Sequence, residues 1–216
     1  MTNIVQKVWR ILDNSPSIRR DIGLGLINTS ALARYLIKEK KVEGSLDAII
    51  GAIRRYDHGK HEKIFSTAHE LMGQTINIFT RRKVAEICLK KDDDVQQILP
   101  KLFDIIKYIQ GDILRIMQAN ESIRLLIDEK NLDNVKKIFP NDKVISTEKN
   151  LAEIDIYIHP DMQATPGILA VIANELAINA INIIEVMTCP PEMLFIVKGE
   201  DLLRSHDVLC KLCETN

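Results

Sequence analysis

The chain has 216 residues, of which 46% are hydrophobic, 5% aromatic and 27% charged, and its formal net charge is −1. This composition is that of an ordinary globular protein with room for one large domain or two to three small ones. The sequence has neither an apolar run of membrane-spanning length nor a secretory signal, and it has only four cysteines, so we expect a cytoplasmic protein without a membrane partner.

Charge is unevenly distributed along the chain. Lys and Arg outnumber Asp and Glu over residues 1–63, and the reverse holds over the remainder. This division suggests two parts with different partners. Solvated charge on a helical segment explains it equally well.

Residues 1–73 are predicted to form a helical domain, because apolar residues recur there at helical spacing between cap and turn signals. A first helix ends at Asn14-Ser15-Pro16, and a second covers about Ser17–Gly23. The third and fourth are Thr29–Lys40 and Ser45–Tyr56, and a linking helix follows from about His61 to Met72.

The third and fourth helices resemble a helix-turn-helix, since a turn containing Gly44 joins them and the second of the pair is basic. In that interpretation Ser45–Tyr56 is the recognition helix, and Asp47 near its start would repel the DNA backbone. The candidate phosphate contacts are Arg54, Arg55 and Lys60. Packing in a simple helical bundle gives the same pattern, so DNA binding and docking onto a protein both stay open. Affinity for duplex DNA that falls sharply with salt would favour the first.

Beyond Gly73-Gln74 the pattern changes to strands. We predict a hairpin with strands Thr75–Thr80 and Val84–Lys90 and with Arg81-Arg82-Lys83 at its tip. In a winged helix such a hairpin would be the wing.

The layout of residues 84–139 recurs in residues 151–213. Ala85-Glu86-Ile87 matches Ala152-Glu153-Ile154, and the later elements follow at matched spacings, which identifies an internal repeat. In the first copy Pro100 interrupts the first helix. Lys143–Thr147 closes the sheet of the first copy, and Thr75–Thr80 can complete the open edge of the second. We therefore expect eight strands in two four-stranded sheets with interleaved connectivity.

The second copy is the clearer of the two. Thr165 and Pro166 have the residue types of a helix N-cap and first helical position, and the helix they open ends at Asn179. Strands at Ile181–Thr188 and Met193–Lys198 flank the turn Cys189-Pro190-Pro191-Glu192. With a strand at Ala152–His159 before them and a helix at Asp201–Cys213 after them, the order β-α-β-β-α is most of a ferredoxin-like unit.

Thr165-Pro166-Gly167 at a strand-to-helix loop, followed by ELAINAINIIEV and a strand hairpin, resembles an ACT domain. The resemblance implies modules that bind small ligands, most often amino acids, and regulate an attached domain. The interleaved pair is similar to the tandem ACT units of aspartokinases. Many relatives have Gly where Ala180 stands. Because a left-handed alanine is strained by roughly 1 kcal/mol, we expect a different turn there.

The resemblance thus implies an α+β fold in which an N-terminal helical bundle precedes two intertwined ferredoxin-like, βαββαβ modules. The expected domains are residues 1–73 (helical, helix-turn-helix-like), 74–148 (first ACT-like module) and 149–216 (second ACT-like module), with strand 75–80 available to the second module. ACT-like sheets usually pair, so a homodimer is expected.

The candidate ligand site is the loop that precedes the helix of the second copy. A free amino acid carries a carboxylate, which suits the exposed N–H groups of a helix N-terminus. Its ammonium group needs acceptors, which Asp161, Gln163 or loop carbonyls can offer, and the resemblance adds Asn182. The predicted ligand-binding residues are Asp161, Gln163, Thr165, Gly167, Ile168 and Asn182. The first copy carries Asp92-Asp93-Asp94 at the matching place, where a carboxylate would meet like charge.

Signatures of catalysis are missing from the sequence, which has no glycine-rich phosphate loop, nucleophile elbow or HExxH. Cys210 and Cys213 form a lone CxxC at a helix C-terminus, and His58 and His61 lack further ligands. We therefore expect no catalytic residues, metal or cofactor. The sequence favours a non-enzymatic regulatory protein that binds an amino acid and signals to the basic helical domain. The alternatives are a DNA-binding transcription regulator and a regulatory subunit or adaptor of a metabolic enzyme.

Overall fold

The computed structural model describes residues 3–57, 62–75 and 77–214, and the chain falls into two units that divide between residues 68 and 69. The helices of the first unit are α1 (Ile4–Asp13), α2 (Pro16–Gly23), α3 (Thr29–Lys38) and α4 (Leu46–Arg54). The side chains of Asn3, Asn28 and Ser45 cap α1, α3 and α4, which satisfies N–H groups that a helix start leaves free. These helices agree with the predicted ones to within two residues at each end.

The core of the first unit is aliphatic, because the apolar faces of α1, α3 and α4 meet. Leu12, Leu36 and Ile49 are fully buried there. Two aromatic side chains form hydrogen bonds at the edge of this core. Trp9 donates a hydrogen bond from Nε1 to the carbonyl oxygen of Ala52 (2.9 Å), and the Tyr56 hydroxyl donates to Asp13 Oδ1 (2.6 Å).

The second unit is built on one antiparallel sheet of six strands. The boundary between the units lies within α5 (Glu62–Met72). The strands are β1 (Asn77–Lys90), β2 (Leu114–Gln118), β3 (Ser122–Asp128), β4 (Val144–Tyr157), β5 (Glu185–Cys189) and β6 (Glu192–Lys198). Their order across the sheet is β2-β3-β1-β4-β6-β5.

The predicted hairpin at residues 75–90 is wrong, because β1 runs through it as a single strand. Arg81 pairs with Glu153 and Val84 with Leu151, on either side of an irregularity at Lys83. Lys83 has a left-handed backbone (φ 57°), so the chain bulges there without turning back. Three consecutive basic residues therefore mark a bulge inside the sheet.

Eight predicted strands become six because β1 and β4 each serve both copies of the repeat. The second half of β1 lies between β3 and the first half of β4, and the second half of β4 lies between the first half of β1 and β6. Each copy thereby obtains four strands in the ferredoxin-like order. Asn150 in β4 (φ 56°) occupies the position that Lys83 has in β1, and the residues that follow them, Leu151 and Val84, face each other.

The helices of the second unit are α6 (Asp93–Ile98), α7 (Leu102–Ile105), α8 (Leu132–Ile138), α9 (Pro160–Gln163), α10 (Ile168–Ile178) and α11 (Leu202–Glu214). The predicted interruption at Pro100 is confirmed, since a 3₁₀ turn at Leu99–Lys101 separates α6 from α7. Apolar residues on one face of the sheet pack against these helices. Ile87, Leu125 and Val135 are fully buried in the first copy, and Ile154, Phe195 and Leu209 in the second.

The end of α10 differs from expectation. Ala180 is left-handed (φ 55°), and the expectation of another turn there is wrong. Ile181 N–H donates to the carbonyl of Leu176 and Ala180 N–H to that of Ala177, which is the hydrogen-bond pattern of a Schellman motif. Residues 180–184 complete this turn and lead into the sheet, so β5 begins at Glu185 rather than at Ile181.

The other face of the sheet curls inward and carries buried charge. Arg124 in β3 contacts Glu86 in β1 (3.2 Å) and also Glu185 in β5 (2.6 Å), although β5 forms the opposite edge of the sheet. Arg115 in β2 likewise reaches Glu153 in β4 (3.3 Å). These long-range pairs require the two ends of the sheet to approach each other.

No helix among the described residues is both long and apolar enough to pass through a membrane.

Candidate functional site

The loop between β4 and α10 begins with a short helix that the sequence did not predict. His159 precedes α9, and its Nδ1 accepts a hydrogen bond from Asp161 N–H (3.3 Å). Thr165 was expected to cap the next helix. Instead its hydroxyl donates to the carbonyl of Asp161 (2.8 Å). That bond closes the last turn of α9, so the predicted capping role of Thr165 is wrong.

Gly167 occupies the N-cap position of α10. Its φ is 98°, a conformation that glycine adopts without strain and that other residues rarely adopt. The described side chains form no capping hydrogen bond to the first turn of α10. The N–H groups of that turn therefore face the space in front of Gly167, where the helix dipole favours an anion.

A cavity of about 250 Å³ lies in front of this helix start. We call it the loop cavity. Its walls come from the loop, from the first turn of α10 and from the β5–β6 hairpin. It is lined by Ile158, Met162, Gln163, Thr165, Gly167, Ile168, Leu169, Thr188, Pro190, Glu192 and Met193. The lining is largely apolar, so the few polar groups would fix the orientation of a bound molecule.

The structure brings together four of the six predicted ligand-binding residues. Gln163, Thr165, Gly167 and Ile168 all line the loop cavity. Asp161 does not line it. Its side chain is largely exposed, and Oδ2 lies 3.4 Å from His159 Nδ1.

Asn182 also lies away from the cavity. It is exposed and precedes β5, whose first residue, Glu185, pairs with Ile196 and so lies level with Glu153 in β4. The loop cavity adjoins the opposite end of β4, beside Ile158. Asn182 therefore occupies the wrong end of the sheet for a contact in this cavity.

Glu192 and Thr188 are polar cavity residues that the sequence reasoning missed. Glu192 opens β6 and pairs with Tyr157 at the end of β4, which places its carboxylate beside the loop. The predicted strand order could have indicated both residues, because the third strand of a ferredoxin-like unit lies antiparallel to the first. The hairpin turn must then adjoin the first strand-to-helix loop.

At the matching place in the first copy of the repeat, a side chain of the chain itself caps the helix start. Asp92 caps α6 by accepting a hydrogen bond from Val95 N–H (2.9 Å). Lys143 Nζ lies 2.5 Å from Asp92 Oδ2 and 3.3 Å from Asp94 Oδ2. The lysine and the helix start hold the pKa of Asp92 below its usual value. A protein carboxylate thus already occupies the place that a ligand carboxylate would take.

The described residues include no group of three or more His, Cys, Asp or Glu side chains placed to hold a metal ion. Burial raises the pKa of both Cys210 and Cys213. A reactive thiol needs a lowered pKa, so these cysteines have the environment of structural residues.

Two of the three candidate DNA contacts lie among the described residues. Arg54 and Arg55 are exposed at the end of α4, where Arg55 Nε donates to the carbonyl of Gly51 (3.0 Å). Asp47 is exposed in the first turn of the same helix. Lys60, His58 and His61 lie outside the described residues. DNA binding by this helix stays a prediction.

The chain matches no protein-family model and no curated protein sequence. Its fold does resemble solved structures. The regulatory subunit of aspartate kinase from Thermus thermophilus, in a ligand-free form, has a TM-score of 0.53 at 13% identity, over 64% of this chain and 97% of that one. A structure of aspartokinase alpha and beta subunits gives a TM-score of 0.51 at 17% identity, over 64% of this chain and 97% of the other.

The aspartate kinase of Clostridium acetobutylicum gives a TM-score of 0.51 at 16% identity, over 64% of this chain. This chain spans about a third (34%) of that enzyme's length. A match over 64% of the chain is longer than the first unit, so it extends well into the second. The predicted α+β fold is confirmed: the chain shares the curled, ACT-like fold of aspartokinase regulatory domains.

Proposed function

We propose that this chain is a non-enzymatic regulatory protein that binds a free amino acid in the loop cavity and signals to its helical unit. The observation that carries the proposal is the uncapped start of α10, opened by a left-handed glycine into a mainly apolar cavity of about 250 Å³. The shared fold supports a regulatory role, because the similar structures include regulatory subunits of aspartate kinase.

The cavity offers complementary groups for both ends of an amino acid. The first-turn N–H groups of Ile168 and Leu169 suit the carboxylate. Glu192 replaces Asp161 as the acceptor for the ammonium group, with Gln163 and Thr188 beside it. Met162 and Met193 supply adaptable apolar surface for the side chain.

The rival proposals concern the partner of the helical unit. As a transcription regulator the unit would bind operator DNA, and as a subunit or adaptor it would dock onto an enzyme. We propose in either case a homodimer, which sedimentation at high micromolar concentration tests. A monomer under those conditions would refute it.

A thermal-shift screen of the twenty amino acids identifies the ligand. A ligand at 100 times its Kd stabilises the folded state by roughly 2.7 kcal/mol, which raises the melting temperature by several degrees. A screen in which no amino acid changes the melting temperature would contradict the proposal.

Calorimetry on variants then locates the site. Gly167→Asp should abolish binding, because it places a negative charge where the ligand carboxylate lies. Gly167→Asn is the matched control, since asparagine has the same size, tolerates the left-handed backbone and carries no charge. We expect it to retain binding within about tenfold, or roughly 1.4 kcal/mol.

Asp93→Ala tests the first copy of the repeat. Its affinity should stay within about threefold of the wild type, less than roughly 0.7 kcal/mol. Binding that is lost in Asp93→Ala and retained in Gly167→Asp would place the site in the first copy.

A further inference from the structure

A second cavity lies on the face of the sheet opposite the one that packs against α6–α11. It has a volume of about 290 Å³ and is lined by Phe79, Thr80, Arg81, Arg115, Glu153 and Asp155. We call it the sheet cavity. Phe79 pairs with Asp155 and Arg81 with Glu153 across β1 and β4, so these four side chains share one face. Arg115 enters from β2 because the sheet curls.

The charges around the sheet cavity pair off with one exception. Arg81 Nη1 lies 3.1 Å from Asp128 Oδ1. Arg115 donates to both carboxylate oxygens of Glu153, at 3.3 and 3.4 Å. Asp155 is the exception. Its Oδ1 is shielded from solvent and accepts no hydrogen bond from any described residue.

The surroundings of Asp155 make its negative charge costly. Burial raises its pKa to about 6, and the nearby carboxylates of Glu192 and Glu153 act in the same direction, with Arg115 opposing them. Both guanidinium groups in the cavity already have carboxylate partners. What the cavity lacks is therefore one positive charge beside Asp155.

We propose that the sheet cavity binds the ammonium group of a small aliphatic amine, with Asp155 as the accepting carboxylate. An ammonium group donates up to three hydrogen bonds, which suits a carboxylate oxygen that has no other partner. Phe79 in the cavity wall adds an aromatic ring, and rings attract cations at their faces. The cavity volume accommodates an alkyl chain of a few carbon atoms.

This ligand is different from the one proposed for the loop cavity. A free amino acid would bring its carboxylate toward Asp155 and Glu153, and the two arginines that could receive it are engaged. An amine without a carboxylate avoids that repulsion. The two proposals therefore concern different ligands and can be tested independently.

The direct test is calorimetry with n-butylamine and 1,4-diaminobutane at pH 7.5, with 1-butanol as the neutral analogue. Wild-type protein should bind the amines and not the alcohol. Asp155→Asn keeps the shape of the side chain and removes its charge, so its affinity should fall at least about tenfold. Asp93→Asn removes the same charge from an exposed position in α6 and should bind as the wild type does.

Binding should also depend on pH. The charged groups that face Asp155 come from every neighbouring strand: Arg81 (β1), Arg115 (β2), Glu153 (β4) and Glu192 (β6), with Asp128 (β3) behind Arg81. With the pKa of Asp155 at about 6, only about a tenth of it is ionised at pH 5, so amine affinity should fall about tenfold between pH 7.5 and pH 5.

Three results would overturn the proposal. They are equal amine affinity in wild type and Asp155→Asn, binding of 1-butanol as strong as that of the amines, and absence of any heat at 20 mM amine (about 2 kcal/mol of affinity or less). Circular dichroism checks that Asp155→Asn is folded. Gly167→Asp should leave amine binding intact, which separates a failure here from a failure at the loop cavity.

Discussion

Asp155→Asn should stabilise the protein, and the gain should grow with pH. The folded-state pKa of Asp155 is about 6, against an ordinary value of 3.8. A carboxyl group whose pKa is raised by folding destabilises the fold once it ionises, so the penalty is small near the ordinary pKa and complete above the folded one. At 1.36 kcal/mol for each pKa unit, linkage gives a penalty of about 1 kcal/mol at pH 4.5 and about 3 kcal/mol at pH 7.5.

Urea denaturation at these two pH values measures the effect. The stability difference between Asp155→Asn and the wild type should increase by about 2 kcal/mol from pH 4.5 to pH 7.5. Far-UV circular dichroism is the suitable probe, because the single tryptophan, Trp9, lies in the N-terminal unit. Asp93→Asn, which removes an exposed carboxylate, should show no such increase. A stability difference for Asp155→Asn that is the same at both pH values would refute the reasoning.

Two other substitutions test the sheet and the end of α10. Arg124→Ala leaves Glu86 buried without its partner, so the free energy of unfolding should fall by about 3–5 kcal/mol in urea denaturation. A loss below about 1 kcal/mol, typical of an exposed pair, would contradict this. Ala180→Gly relieves a left-handed alanine and should add about 0.5–1 kcal/mol, seen as a raised melting temperature. Ala173→Gly, in the middle of α10, should instead lose about 1 kcal/mol.

The parts of the fold that local chemistry determines could be predicted from the sequence. Asn28 and Ser45 begin helices where their side chains can cap them, and Pro100 breaks a helix where its ring forbids continuation. The internal repeat was visible because both copies keep the same spacing between elements. These signals depend on a few neighbouring residues and need no knowledge of distant contacts.

The sequence-based predictions are wrong where contacts with distant parts of the chain determine the local conformation. Arg81, Arg82 and Lys83 have the polarity of a hairpin tip, yet pairing with β4 holds them in a strand. Thr165 has the residue type of a cap, but the carbonyl of Asp161 competes for its hydroxyl. Gly167 occupies the N-cap position of α10 with a left-handed backbone, which sequence alone does not reveal.

The residues of the two candidate sites show the same contrast between local and long-range signals. Four residues of the loop cavity belong to one continuous segment, and the sequence identified them together. Glu192 comes from the facing hairpin, and only the strand order brings it there. The sheet cavity draws Arg115 and Asp155 from strands β2 and β4, which the order of strands across the sheet keeps apart. No short motif can signal such a meeting.

The two shared strands have a consequence for how the chain is made. β1 is synthesised before β4, its partner along both halves, which emerges only after β2, β3 and the helices α6–α8. A nascent chain that ends before β4 leaves one edge of β1 unpaired, and open strand edges invite wrong pairing. Pairing across so long a loop is slow. Cutting at residue 148 would divide β4 itself, so we expect the two copies to fold together.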